Sequence, residues 1–237
     1  MDKWWSATLW CSFIEFLAVF FQLFCYSRVG SLDLFASALV LYATLVVFDF
    51  PFLNPYLFWF IRLGPSWKFS RGAAIQCVFV VACQCLGAGS AAAASYAART
   101  PDDTAIRSGA GWDNGFIFLE ELLAVCAFLM GMVHVLRCEI PEILENAERA
   151  DNTLPIKAIM YVSVLVAGLS RAFPSAHFGL HISVFMLARG VKNAEFRVLG
   201  GCVGTLIAII CFHLSKPRAK EGAASPSVFF EKIARLR

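Results

Sequence analysis

Two apolar stretches of the chain are long enough to form helices and too short to cross a bilayer. The first runs from Phe50 to Trp59 and the second from Pro174 to Phe185, and each follows a long apolar segment. Spanning a membrane takes about 20 residues, whereas each stretch stays apolar for only about ten. We interpret both stretches as re-entrant half-helices that enter the membrane from opposite sides and meet at its middle. The alternative is that they are connector turns between spans.

The start of the first half-helix has the residues that a helix N-terminus favours. Asn54 is a good N-cap, and Pro55 occupies the first helical turn, where proline is accepted. A helix N-terminus carries about half a positive charge. Two such ends that face each other would make a positive centre that repels cations.

Composition places the whole chain in a membrane. Hydrophobic residues make up 59% and charged residues 16%, with a mean hydropathy of +0.69. A soluble domain has about a quarter of its residues charged. The sequence therefore predicts a multi-pass integral membrane protein with the lipid bilayer as its main partner. A net charge of +3 is too small to indicate a nucleic-acid partner.

The apolar segments predict three spans and one half-helix, twice over. A transmembrane domain would cover 1–215, with repeats at about 1–98 and 113–215, and a basic tail would cover 216–237. An odd number of spans per repeat makes the repeats inverted, which is typical of channels and transporters. The predicted spans and half-helices, with Arg197 in the loop before the last span, are Trp4–Tyr26, Leu32–Phe48, Pro55–Leu63, Ala73–Tyr96, Gly115–Leu136, Leu154–Leu169, Leu180–Ala188 and Val198–Leu214.

A glutamate recurs early in the first span of each repeat. Glu15 begins the run E-F-L-A-V-F, and Glu121 begins the parallel run E-L-L-A-V-C. Ionisable residues inside spans are functional or structural by default. The recurrence in register favours an anchoring role for both, with Glu120 as the expendable neighbour. The alternative is a glutamate near a span end that reaches water.

These elements together resemble the aquaporin family, the major intrinsic proteins. The resemblance covers nearly the whole chain, agrees in order and spacing, and is nearest to the divergent superaquaporin branch. It implies an all-α membrane protein, an aquaporin-like bundle of six transmembrane helices plus two re-entrant half-helices in an inverted repeat. The motifs that carry it are Ile14–Ala18, Leu53–Tyr56, Ala82–Ala88, Glu121, Ser175–Phe178 and Val198–Gly204.

The resemblance also implies roles for particular residues. Glu15 and Glu121 would accept hydrogen bonds from the backbones of the half-helix loops. The pore-centre motif would be Asn54, Pro55 and Tyr56 in the first repeat and Gly179, Leu180 and His181 in the second. The filter-like positions would fall at Leu34 or Phe35, Ala167 or Gly168, Ala176 and Ile182.

Two departures from the family pattern affect the expected pore. The second motif lacks its asparagine, and Ile182 stands where the family usually has a pore-narrowing arginine. The resulting constriction would be apolar and uncharged, and it would lack the polar groups that replace a water molecule's lost hydrogen bonds. A fast and selective water channel is therefore not what this sequence favours.

His177 and His181 are the other polar residues of the second stretch. They could form a polar or pH-responsive lining, or they could be structural. No third ligand accompanies them, so we expect no metal and no other cofactor. The run Pro174–His177 resembles one element of membrane lipid phosphatases, but the other elements of those enzymes are absent in that order. We therefore expect no enzymatic activity.

The sequence leaves two functions open. The first is an aquaporin-like channel for passive transport of water or small neutral solutes. The second is a non-conducting subunit of a larger membrane complex that keeps the fold. A homo-oligomer or a complex subunit is expected in either case, and the superaquaporin-like character favours an intracellular or organelle membrane.

Overall fold

The computed structural model describes residues 3–29, 34–48, 51–63, 71–98, 113–138, 164–173 and 176–214. Every regular element in these ranges is helical. A helical segment also occupies 164–172, between α5 and α6. The helices are α1 (Lys3–Val29), α2 (Leu34–Val47), α3 (Pro55–Leu63), α4 (Arg71–Ala97), α5 (Asn114–Cys138), α6 (Leu180–Ala188) and α7 (Ala194–Leu214).

Four of these helices, α1, α4, α5 and α7, are long and apolar enough to cross a membrane. Their outward faces carry large apolar side chains, including Trp10, Leu86, Leu119 and Leu206. Water would not favour such faces, whereas lipid would. The chain is therefore an all-α membrane protein.

The two short helices have the bounds that the sequence predicts, Pro55–Leu63 and Leu180–Ala188. The last long helix differs, because α7 begins at Ala194 rather than at Val198. Arg197 therefore lies inside a helix and not in a loop. Of the predicted span Leu154–Leu169, only 164–169 falls within the described residues, and the predicted basic tail at 216–237 lies outside them.

The long helices form two closely packed pairs, α1 with α4 and α5 with α7. A Cβ atom on Gly87 of α4 would lie 2.6 Å from the backbone oxygen of Phe16, and one on Gly204 of α7 would lie 2.5 Å from that of Leu122. Each oxygen belongs to the residue that follows the buried glutamate of its helix. The two pairs thus repeat the same contact.

Each short helix packs against both pairs of long helices. Tyr56 and Phe60 of α3 pack in one cluster with Phe128 of α5 and Phe212 of α7. The second cluster, which contains residues of α1, α4 and α6, is Ala18, Val19, Leu23, Leu53, Ala88, Ala91, Ala92, Phe185, Met186 and Ala194. This packing places the N-termini of both short helices in the interior of the protein.

Candidate functional site

The N-terminus of α3 is tied to the segment before α6 through one side chain. The Asn54 Oδ1 accepts a hydrogen bond from the backbone N–H of Tyr56 at 3.0 Å, which caps α3. The Asn54 Nδ2 donates to the backbone oxygen of Phe178 at 2.6 Å. Asn54 therefore satisfies one N–H at the start of its own helix and joins the two short helices.

The N-terminus of α6 has a different cap. Gly179 occupies the N-cap position and makes no side-chain cap hydrogen bond. A Cβ atom on Gly179 would lie 2.6 Å from Cε1 and 2.8 Å from Nδ1 of His181, and 3.6 Å from Cγ of Asn54. The residues Asn54, Phe178, Gly179 and His181 thus meet at one place, which we call the α3–α6 junction.

The residue before each N-cap has the same unusual backbone conformation. Leu53 and Phe178 both have a φ of 57°, in the left-handed region that bulky residues rarely adopt. Such a conformation costs on the order of 1–3 kcal/mol and persists only where the surroundings enforce it. A buried glutamate contacts the backbone at each of these turns.

Glu15 holds the turn before α3. Its Oε1 accepts a hydrogen bond from the Phe52 N–H at 2.6 Å, and its Oε2 accepts from the Leu53 N–H at 2.9 Å and from Gln84 Nε2 at 3.0 Å. The Glu15 side chain is fully buried. One carboxylate thus satisfies two backbone donors of the strained turn and one side chain of α4.

Glu121 holds the turn before α6 in a similar way. Its Oε2 accepts a hydrogen bond from the His177 N–H at 2.8 Å, and the backbone of Phe178 also interacts with this carboxylate. Among the described residues, Oε1 of Glu121 has no hydrogen-bond partner. The second anchor is therefore less completely satisfied than the first.

Gln84, the side-chain partner of Glu15, has no amide counterpart at the matching position of α7 among the described residues. Gln84 precedes Gly87 by three positions, and Gly201 precedes Gly204 by the same spacing. The space beside Gly201 is filled by the ring of Tyr56, whose hydroxyl donates to the backbone oxygen of Val198 at 3.1 Å. An aromatic residue of α3 thus lies at the position of α7 that matches Gln84 of α4.

Arg197 is a charged residue of the site that the sequence analysis placed in a loop. It is 1% exposed, and its charge interacts with those of Glu121 and Glu120. Glu120, which the sequence predicts to be expendable, is also buried, at 6% exposure, and its expendability stays a prediction. The helix that carries both glutamates, α5, packs directly on α7, and Gly200 of α7 lies against Glu121. The turn signals Gly190 and Asn193 could have placed the start of α7 ahead of the arginine.

Polar atoms without partners are concentrated next to the α3–α6 junction. Both ring nitrogens of His177, both ring nitrogens of His181 and the Ser183 hydroxyl are buried without a hydrogen bond to any described residue. Leaving a buried donor or acceptor unpaired costs about 1–3 kcal/mol. In folded proteins such atoms usually have a partner, either protein or ordered water.

The predicted filter-like positions are dispersed over several elements. Leu34 and Phe35 lie at the start of α2, and their side chains are outside the described residues. Ala176 packs against the cluster that contains Tyr56, and Ile182 packs against the cluster that contains Leu53. The remaining two, Ala167 and Gly168, lie in the helical segment at 164–172.

Replacing Asn54 tests how the two short helices are joined. Asn54→Ala removes the cap and the bond to Phe178, and we expect a loss of about 2 kcal/mol in stability, because a cap and a buried hydrogen bond each contribute about 1 kcal/mol. Asn54→Asp keeps an acceptor for the Tyr56 N–H but places an oxygen against the Phe178 oxygen. In thermal melts in detergent, a melting temperature of Asn54→Asp equal to that of the parent would show that the hydrogen bond to Phe178 contributes no stability.

In comparisons with known proteins, no protein-family model matches the chain, and no curated protein matches it.

Proposed function

We propose that this protein is an aquaporin-like channel that passes small neutral solutes through the α3–α6 junction. The proposal includes the aquaporin-like fold, with six spans and two re-entrant half-helices in an inverted repeat. Its supports are the repeated packing of the long helices, the two short helices that pack against both pairs, and the glutamate that binds the turn before each short helix.

The observation that carries the proposal is the meeting of two helix N-termini inside a membrane protein. Asn54 Nδ2 and the Phe178 oxygen, 2.6 Å apart, link the two helix starts. Each N-terminus contributes about half a positive charge, so cations would be repelled at this point. The buried carboxylates of Glu15 and Glu121 are bound to backbone N–H groups on the turns. A neutral solute is the cargo that suits this electrostatic arrangement.

The proposed constriction differs from a water filter in its polarity. Ile182 is half-buried in α6, and it is the residue for which the resemblance implies a filter-like position where the family usually has an arginine. An apolar constriction disfavours water, which would lose hydrogen bonds on entry. We therefore expect slow water transport and a relative preference for neutral solutes with an apolar part.

A second function, that of a non-conducting subunit of a larger membrane complex, is favoured by the packing of α3. Tyr56 is fully buried, and its hydroxyl donates a hydrogen bond to the backbone oxygen of Val198. Phe58 packs against Phe52 and Val80. These contacts stabilise the helix without any need for a pore. The same fold would then serve as a rigid scaffold.

Stopped-flow measurements on proteoliposomes test the channel. We expect permeability to glycerol above that of empty liposomes, and we expect Ile182→Trp to reduce it several-fold, because the larger ring would narrow the proposed constriction. Leu187→Trp is the matched control, since Leu187 lies on the same helix and is 49% exposed. It should leave the permeability unchanged, provided that both variants melt like the parent.

The outcome that contradicts the channel is equally definite. Permeability equal to that of empty liposomes for water, glycerol and hydrogen peroxide would eliminate the proposed transport and leave the scaffold function.

A further inference from the structure

The two short helices present their polar side chains at different positions of the first turn. In α3 the polar group is Asn54 at the N-cap, and the third position of the motif is Tyr56, which points to α7. In α6 the N-cap is Gly179, and the third position is His181. The polar side chain is therefore at the first position of the motif in α3 and at the third position in α6.

The imidazole of His181 lies where a side chain at position 179 would begin. A Cβ atom on Gly179 would be 2.6 Å from Cε1 of this ring and 2.8 Å from Nδ1, closer than real Cβ contacts allow. The same Cβ would be 3.6 Å from Cγ of Asn54. A side chain on residue 179 and the histidine ring thus compete for one space beside Asn54.

We propose that His181 replaces the missing second asparagine, and that its imidazole and the Asn54 amide together bind a small neutral solute able both to donate and to accept hydrogen bonds. The proposal rests on the channel function, because it assigns the solute contact at the same junction. A histidine and an asparagine differ from a pair of asparagines in the hydrogen-bond donors and acceptors that they offer to the solute.

The hydrogen-bonding capacity of the two side chains supports this assignment. The Asn54 NH₂ group has two donors, of which Phe178 takes one. A neutral imidazole has one donor and one acceptor, and both ring nitrogens of His181 lack a partner among the described residues although the residue is only 4% exposed. A solute with a hydroxyl group could accept from Asn54 and donate to His181. Two asparagines whose oxygens cap their helices would offer donors alone.

Nitrogen-15 NMR of the full-length protein in lipid nanodiscs, with labelled histidine and with glycerol as the probe, tests the binding directly. The chain has four histidines, and His181→Ala identifies the signals of His181 by their loss. We expect these signals to shift with a saturable dependence on glycerol concentration, while those of His213, at the far end of α7, stay unchanged. Signals of His181 that do not move up to molar glycerol, or that move only as those of His213 do, would overturn the proposal.

A pair of substitutions tests the competition for space. Gly179→Asn alone should lower the folded yield, because its Cβ would collide with the His181 ring. Gly179→Asn combined with His181→Ala should restore the yield, because the new side chain can then occupy the vacated space. A Gly179→Asn variant that folds as well as the parent and leaves the nitrogen-15 signals of His181 unshifted would show that the two side chains do not share one space, and the replacement of one by the other would be disproved.

Permeability separates this proposal from the channel function. In proteoliposomes, His181→Ala should change the ratio of glycerol to water permeability about two- to thirteenfold, since one hydrogen bond of about 0.5–1.5 kcal/mol is lost for the solute. If the parent does not conduct and the His181 signals still saturate with glycerol, the channel fails and the binding site stands. If the parent conducts and His181→Ala leaves both the ratio and the folded yield unchanged, the site fails and the channel stands.

Discussion

Glu15→Ala is expected to lower the stability of the protein by roughly 3 kcal/mol or more, because three donors, two buried and one partly buried, would lose their acceptor at about 1–3 kcal/mol each. These donors are the N–H groups of Phe52 and Leu53 and the amide of Gln84. The turn before α3 would also lose the contacts that keep Leu53 in its left-handed conformation. Thermal melts of purified variants in detergent measure the effect.

The matched control for this prediction is Glu195→Ala. Glu195 is exposed in the first turn of α7, so its loss should cost at most about 1 kcal/mol through the helix dipole. Glu120 cannot serve as this control because it is buried. Equal melting temperatures for Glu15→Ala and Glu195→Ala would contradict the anchoring role.

Gly87→Ala is expected to lower the stability of the protein by a comparable amount, because it disturbs the packing of α1 against α4. Its Cβ would lie 2.6 Å from the Phe16 backbone oxygen and 3.3 Å from the Phe20 nitrogen, so the two helices would have to move apart. Overpacking of this kind costs about 1–3 kcal/mol, and contact with backbone, which cannot rotate away, favours the upper end. Since Phe16 follows Glu15, the shift would also disturb the anchored turn.

Gly89→Ala, two residues along the same helix, is the control. A Cβ there would meet nothing within 4 Å. Alanine is a better helix former than glycine, so we expect no loss and up to about 1 kcal/mol of gain. If Gly87→Ala and Gly89→Ala melt at the same temperature, the close approach of α1 and α4 is not needed for stability.

The bounds of the short helices could be read from the sequence because their signals are local. Asn54 and Pro55 begin α3 through cap and first-turn chemistry that involves only neighbouring residues. The lengths of the apolar runs separate the short helices from the long ones for the same reason. The recurrence of Glu15 and Glu121 in parallel runs was also visible, because a repeated charge in an apolar segment is rare.

Other features of the site depend on contacts between residues far apart in the chain. Leu53 and Phe178 adopt the left-handed conformation without being glycine, so the sequence gives no local signal for these turns. Their strain persists where a distant carboxylate contacts the backbone. Arg197 is buried because α7 packs on α5, which no local pattern near Val198 expresses.

The ring of His181 and the Cγ atom of Asn54 both border the space beside Gly179, because both short helices pack against α4 and α7. The chain thus encodes its helices through neighbouring residues. Their arrangement, which brings polar groups of the two short helices to one place, follows from packing between segments far apart in sequence.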